Sequence, residues 1–162
     1  MDSSKIFAEK AISIDDQNSL AHIAISYGYR NMYDWKNQEK ELRTANRLNP
    51  GAMEKTELAY FLSTFGQFKE AEELARQAIK IDPLEINAIL CYSDVLLVSG
   101  KYNESFVQIN KALSIDPNFA MAYAELGHYY IAKKDYHNAL LAWSKQHEFS
   151  GDSVLAEIYR KS

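Results

Sequence analysis

The sequence is short of the residues that staple small extracellular domains or break up β-rich ones, with one cysteine, three prolines and six glycines in 162 residues. The lone thiol, Cys91, can close no internal disulfide and form no CxxC site, which fits a reducing compartment and reads as a packed rather than a reactive cysteine. No stretch approaches 18 consecutive apolar residues, and no charged, apolar and small-residue leader opens the chain. A membrane span and export are therefore not expected, and the cytoplasm is. An excess of positive charge is also missing. Formal net charge is -4 with acidic and basic residues interspersed, so the basic stripe that direct nucleic-acid binding needs is absent. The glycine-rich dinucleotide and phosphate-loop patterns, HExxH and GxSxG do not occur. The four histidines, His22, His128, His137 and His147, are scattered without metal-ligand spacing. No catalytic residue, no metal and no cofactor is expected.

What the chain has is a repeat. GQFKEAEELARQAIKIDP, from Gly66 to Pro83, returns from Gly100 to Pro117 as GKYNESFVQINKALSIDP, and degenerate copies run from Tyr33 to Pro50 and from Lys134 to Gly151. Each copy has an aromatic near its start (Trp35, Phe68, Tyr102, Tyr136) and a helical run, and three of them stop at Asn49-Pro50, Asp82-Pro83 and Asp116-Pro117. Proline lacks an N–H and biases the residue before it away from helix, so these pairs end one helix and open the next link. Gly66 and Gly100 suit the left-handed cap of a preceding helix, and Asn18, Asp34 and Asp135 suit helix starts. Pro50 to Pro83 is 33 residues and Pro83 to Pro117 is 34. A fixed period near 34 in a helix-turn-helix unit marks a stacked helical solenoid.

Helices are expected near 18–32 and 35–48, 52–65 and 67–81, 84–99 and 102–115, and 118–133 and 135–149. Small residues recur where two helices of a pair must approach: Ser26, Ala59, Ser93 and Gly127 in the first helices, and Ala71, Ser105 and Ala139 opening the second ones. Gln38 stands at that last position in the first copy. Ala45, Ala78 and Ala112 recur near the ends of the second helices, with Gln146 in the last copy, and Tyr29, Leu62, Leu96 and Tyr130 form a column of large residues.

On these columns the chain resembles the tetratricopeptide repeat family along almost its whole length. The resemblance implies an all-α fold, a right-handed α-α superhelical solenoid of antiparallel helix pairs. One solenoid over 1–162 is expected, with residues 3–16 as the second helix of a partial repeat, full repeats at 17–50, 51–83, 84–117 and 118–151, and a capping helix at 152–162. Ile6, Phe7, Ala11 and Ile14 mark the partial repeat, and Val154, Leu155 and Ile158 would cover the open end of the stack. Beginning at a second helix, the chain reads as an excised piece of a longer protein.

The resemblance further implies a non-catalytic module that accepts another protein or peptide, extended or helical, on the concave face of its first helices. Carried onto this chain, the groove residues are Leu20, Ile23, Tyr27, Arg30 and Asn31; Met53, Thr56, Tyr60 and Thr64; Asn87, Leu90 and Asp94; and Met121 and His128. Tyr27, Tyr60, Asp94 and His128 occupy one equivalent column. Co-chaperones of the family grip the C-terminal carboxylate of Hsp70 or Hsp90 with convergent Lys, Arg and Asn. The matching positions here are Ile23, Tyr27, Glu57, Asn87 and Cys91, so a receptor of that kind is not expected. Asp34-Trp35, Leu48-Asn49-Pro50, Asp82-Pro83-Leu84 with Asn87, and Asp116-Pro117-Asn118-Phe119 also look like the repeat regions behind winged-helix heads in bacterial transcription regulators. That likeness implies a regulatory or adaptor setting. The alternative reading is a ligand-sensing or self-association domain of such a regulator, a homodimer included.

Overall fold

The computed structural model describes residues 10, 12, 13 and 15–161, apart from the side chains of residues 153, 154, 156 and 158. Most of the expected partial repeat at 3–16, including Ile6, Phe7, Ala11 and Ile14, lies outside the described residues, as do the side chains of Val154 and Ile158. Among the described residues there is no strand, and the chain forms helices α1 (Ser19–Asn31), α2 (Trp35–Leu48), α3 (Ala52–Thr64), α4 (Phe68–Ile81), α5 (Ile86–Val98), α6 (Tyr102–Ile115), α7 (Ala120–Ala132), α8 (Tyr136–Phe149) and α9 (Ser153–Lys161). Among them, no helix is long and apolar enough to cross a membrane. The chain divides into two compact units, Met1–Asp82 and Pro83–Ser162.

In the first unit α1 pairs with α2 and α3 with α4, and α3 also packs on α2 and α1. Its fully buried large side chains are Leu42, Leu58 and Leu62, each worth about 1.5–3 kcal/mol of transfer free energy. In the second unit α5 pairs with α6 and α7 with α8, α7 packs on α6 and α5, and α9 lies on α8. Ile89, Val95, Leu96 and Ile109 are fully buried there.

The small-residue columns are where helices touch. Ala59, Ala71, Ala45, Ala78, Ala112 and Ala139 have no exposed surface. The Ser93 and Ser105 hydroxyls meet at 3.1 Å inside the α5–α6 pair. At Gly127 the Trp143 ring of α8 occupies the space a side chain would need.

Turn chemistry repeats with the helices. Within each pair the connection has three residues, and the second of them is left-handed: Tyr33 (φ 57°), Gly66 (φ 77°), Gly100 (φ 78°) and Lys134 (φ 59°). The following N–H reaches back to a carbonyl in the last turn of the helix, as from Gln67 to Leu62 (2.9 Å) and from Asp135 to Tyr130 (2.9 Å). This closes the helix end by satisfying otherwise orphaned carbonyls. The residues before the prolines are extended, with φ and ψ of -135° and 100° at Asn49, -132° and 99° at Asp82, and -134° and 102° at Asp116. Asn18, Asp34 and Asp135 each accept a backbone N–H from the first turn, as the sequence leads one to expect.

Candidate functional site

On α1, Tyr27 and Arg30 are three residues apart, and on α3, Glu57, Tyr60, Phe61 and Thr64 recur at three- and four-residue steps, so each set shares one helix face. Packing of α3 on α1 brings the two sets together. The Tyr27 hydroxyl donates a hydrogen bond to the Glu57 carboxylate, and the Arg30 guanidinium stands over the Tyr27 ring, 4.9 Å from its centroid. Burial holds the Glu57 carboxyl above its ordinary range against the opposing pull of the Tyr27 hydrogen bond and the Arg30 charge. Burial also pushes the Tyr27 phenol up, and the neighbouring Glu57 adds to it, so at neutral pH this phenol is a donor and not an anion.

A cleft of about 130 Å³ opens beside this group. Trp35, Gln38 and Leu42 of α2 and Glu57, Phe61 and Phe65 are among its walls. Trp35 and Phe65 are ring neighbours at 5.6 Å, and Phe61 and Phe65 at 4.7 Å. The Gln38 amide oxygen is buried and has no hydrogen-bond partner among the described residues. Leaving such an acceptor unmet disfavours the native state by about 1–3 kcal/mol.

The second unit carries a different cluster. Asp94 of α5 faces Glu125 and His128 of α7. Burial and then repulsion from Glu125 raise the Asp94 carboxyl to about 6, with His128 pulling the other way. His128 Nδ1 lies 3.7 Å from Glu125 Oε2, an ion-pair separation rather than a hydrogen bond, and the acid raises the imidazole's hold on its proton. Among the described residues no group of three or more acids, histidines or cysteines is arranged to hold a metal ion.

The expected groove residues divide by exposure. Leu20, Arg30, Asn31, Met53, Thr64, Asn87, Met121 and His128 are exposed, and Tyr27, Tyr60 and Asp94 are partly buried. Ile23, Thr56 and Leu90 are a correction: at 2%, 4% and 2% exposure they pack inside the helix layers and offer no surface. Their common position in the repeat explains this, since each lies on the side of its first helix that meets neighbouring helices. Thr56 satisfies its hydroxyl on the Ala52 carbonyl at 2.8 Å. Glu57, Gln38 and Glu125 were missed as site residues. For two of them the signal was in the sequence, because Gln38 breaks the small-residue column and Glu57 puts an acid where the carboxylate clamp would need a cation or an amide.

Residues 56–83 match the family model of the tetratricopeptide repeat. No curated protein matches the chain in sequence. Among solved structures, that of YrrB, described as a TPR protein with an unusual peptide-binding site, is similar with a TM-score of 0.65 and 21% identity, covering 98% of this chain and 82% of that one. PilW, a type IV pilus biogenesis factor, is similar with a TM-score of 0.70 and 19% identity over 94% of this chain and 79% of its own. MamA from Desulfovibrio magneticus RS-1 is similar with a TM-score of 0.68 and 14% identity over 93% and 85%. The fold is that of the tetratricopeptide-repeat solenoids.

Proposed function

We propose that this tetratricopeptide-repeat solenoid is a non-catalytic interaction module that accepts a peptide or helical segment of another protein on the faces of its first helices, in a regulatory or adaptor role. The observation that carries the reading is the Tyr27, Arg30, Glu57 and Tyr60 group, which lines a cleft with polar and aromatic side chains while Leu20 and Met53 stand 56% and 49% exposed on the same two helices. Aromatic anchors with a few directed polar groups are what a recognition surface requires. The peptide-binding site that the description of YrrB records on the same fold supports the reading by analogy.

The test compares the wild-type chain with a Met53→Ser, Tyr60→Ala double variant as bait in the lysate of its source cell. A protein captured by the wild type and lost from the variant, with helicity unchanged, is the expected result. Equal capture by both would remove α3 from the binding surface. Capture of further copies of this chain alone, matched by a doubled mass in light scattering, would favour self-association.

A further inference from the structure

Three aromatic rings meet at the α1–α2 and α3–α4 turns of the first unit: Tyr33 and Trp35 at 5.6 Å, and Trp35 and Phe65 at 5.6 Å. They stand 76%, 39% and 44% exposed, a run of apolar surface of the kind that marks a contact site. The charges beside them divide by exposure. The acids are used by the protein itself. Asp34, between Tyr33 and Trp35, accepts from the Asn37 backbone N–H at 3.2 Å and from its side-chain amide at 2.7 Å, and Glu57 accepts the Tyr27 O–H. The cations face water. Arg30 lines the cleft with Trp35 and Phe65 and is exposed, as is Lys36, next in sequence to Trp35. Among the described residues neither makes a hydrogen bond or an ion pair. The Arg30 guanidinium stands over the Tyr27 ring, 4.9 Å from its centroid, and a guanidinium stacked in this way keeps the N–H donors at its rim for a carboxylate. A further cation would be repelled by Arg30 and Lys36 and would find the Glu57 carboxylate taken. An apolar group alone would strip water from the Arg30 donors and replace none of it.

We propose that the partner is an acidic polypeptide segment with an aromatic side chain beside its acids, a carboxylate pairing with Arg30 at the cleft and the aromatic ring lying on Trp35 and Phe65, with Tyr33 and Lys36 at the rim. The assignment rests on the groove reading above and adds the partner's chemistry to it. The cleft volume, about 130 Å³, is below the roughly 300 Å³ at which small-molecule pockets begin, so it suits one side chain of a polypeptide and not a free metabolite. An incoming ring gains from the exposed rings by offset or edge contact as well as by area. Glu57 opposes the incoming anion, and because burial favours its neutral form that opposition is reduced.

The test is a titration of the full ¹⁵N-labelled chain with the peptide acetyl-Glu-Asp-Phe-Asp-Glu-amide, followed by NMR. Both ends are blocked, so only side chains carry charge. The chain has two tryptophans, and Trp143, in the second unit, is the internal control. The Trp35 indole N–H and the Phe65 backbone signal are expected to shift while the Trp143 indole stays in place. The same peptide with Gln and Asn for its acids, and the one with Ala for its Phe, should each bind at least about fivefold more weakly. Arg30→Gln, a change at an exposed residue, should weaken the acidic peptide about threefold, the scale of an exposed ion pair. Glu57→Gln keeps the shape, removes the opposing charge and should tighten it about twofold. Equal binding of the neutral peptide, equal or better binding of one with Lys for its acids, unchanged binding in Arg30→Gln, weaker binding in Glu57→Gln, or shifts at Trp143 in place of Trp35 would each overturn the proposal. No binding of the acidic peptide while the Met53→Ser, Tyr60→Ala variant loses its captured protein would overturn this assignment alone and leave the groove standing.

Discussion

Gly127 of α7 lies flat against the indole of Trp143 in α8, so that a Cβ at Gly127 would sit 2.6 Å from Cδ1 and 2.7 Å from Cε2 of that ring. In the α5–α6 pair serine suffices at this column, because its neighbour across the pair, Ser105, is itself small. The tryptophan makes glycine a requirement here.

Gly127→Ala should therefore destabilise the second unit by about 1–3 kcal/mol through overpacking. The sign is informative, since at an open position in a helix the same change stabilises by about 0.5–1 kcal/mol. Urea denaturation of the two chains checks it. A stabilised variant would mean that the Trp143 ring is free to move aside.

Ala71 and Ala112 extend the argument to the second helices. Neither has any exposed surface, and each sits in the second helix of its pair. Ala71→Leu or Ala112→Leu should lower stability by about 1–3 kcal/mol, read from the denaturation midpoint at unchanged slope. Wild-type stability in either would contradict the register of the helix pairs.

Lys134 holds a left-handed backbone (φ 59°) that Gly66 and Gly100 hold at the equivalent turns. Left-handed geometry disfavours a residue with a Cβ by about 1–2 kcal/mol, while glycine loses more freedom on folding. The net expectation is that Lys134→Gly stabilises by about 0.5–1 kcal/mol and that Gly100→Ala destabilises by a similar amount. No atom lies within 4 Å of a Cβ built at Gly100, so the second change reads backbone strain alone. A thermal melt of each variant decides it.

Much of this architecture is legible in the sequence because it is set by local rules. Proline fixes the extended residue before it, a small side chain is needed where helices touch, and Asp34 and Asp135 cap the helices they precede. The turns at Tyr33 and Lys134 are not legible, since neither residue advertises a left-handed backbone. There the following aspartate cap and the back-bonded turn impose it. The site was legible by column and not by chemistry. The family resemblance pointed to Tyr27 and Tyr60, but the same carried-over columns included Ile23, Thr56 and Leu90, because a column gives a residue's phase on the helix and not the width of the buried stripe. Gln38 appeared only as a departure from the small-residue pattern. Which cleft that departure opens depends on α1, α2 and α3 together, and pair packing is not written in any one segment.

The Asp94 cluster makes stability depend on pH. Asp94 titrates near 6 in the folded chain against an ordinary value near 3.9, so between those values the folded state keeps a proton that the unfolded chain has released. Stability therefore falls as pH rises from about 4 to 6, and above that an ionised, half-buried carboxylate beside Glu125 is a standing penalty. His128 adds the same sign, because its folded pKa is raised: its contribution is full below about 6.5 and is lost as pH climbs through the folded value. Asp94→Asn removes the first effect while keeping the shape. At pH 7.5 the variant should be more stable than the wild type by about 1 kcal/mol, a figure reduced for solvent screening of a partly exposed group, and the gap should close toward pH 4. Paired melts at pH 4, 5.5 and 7.5 measure it. A gap that stays constant across the three would show that Asp94 keeps an ordinary carboxyl and that burial on α5 does not govern its charge.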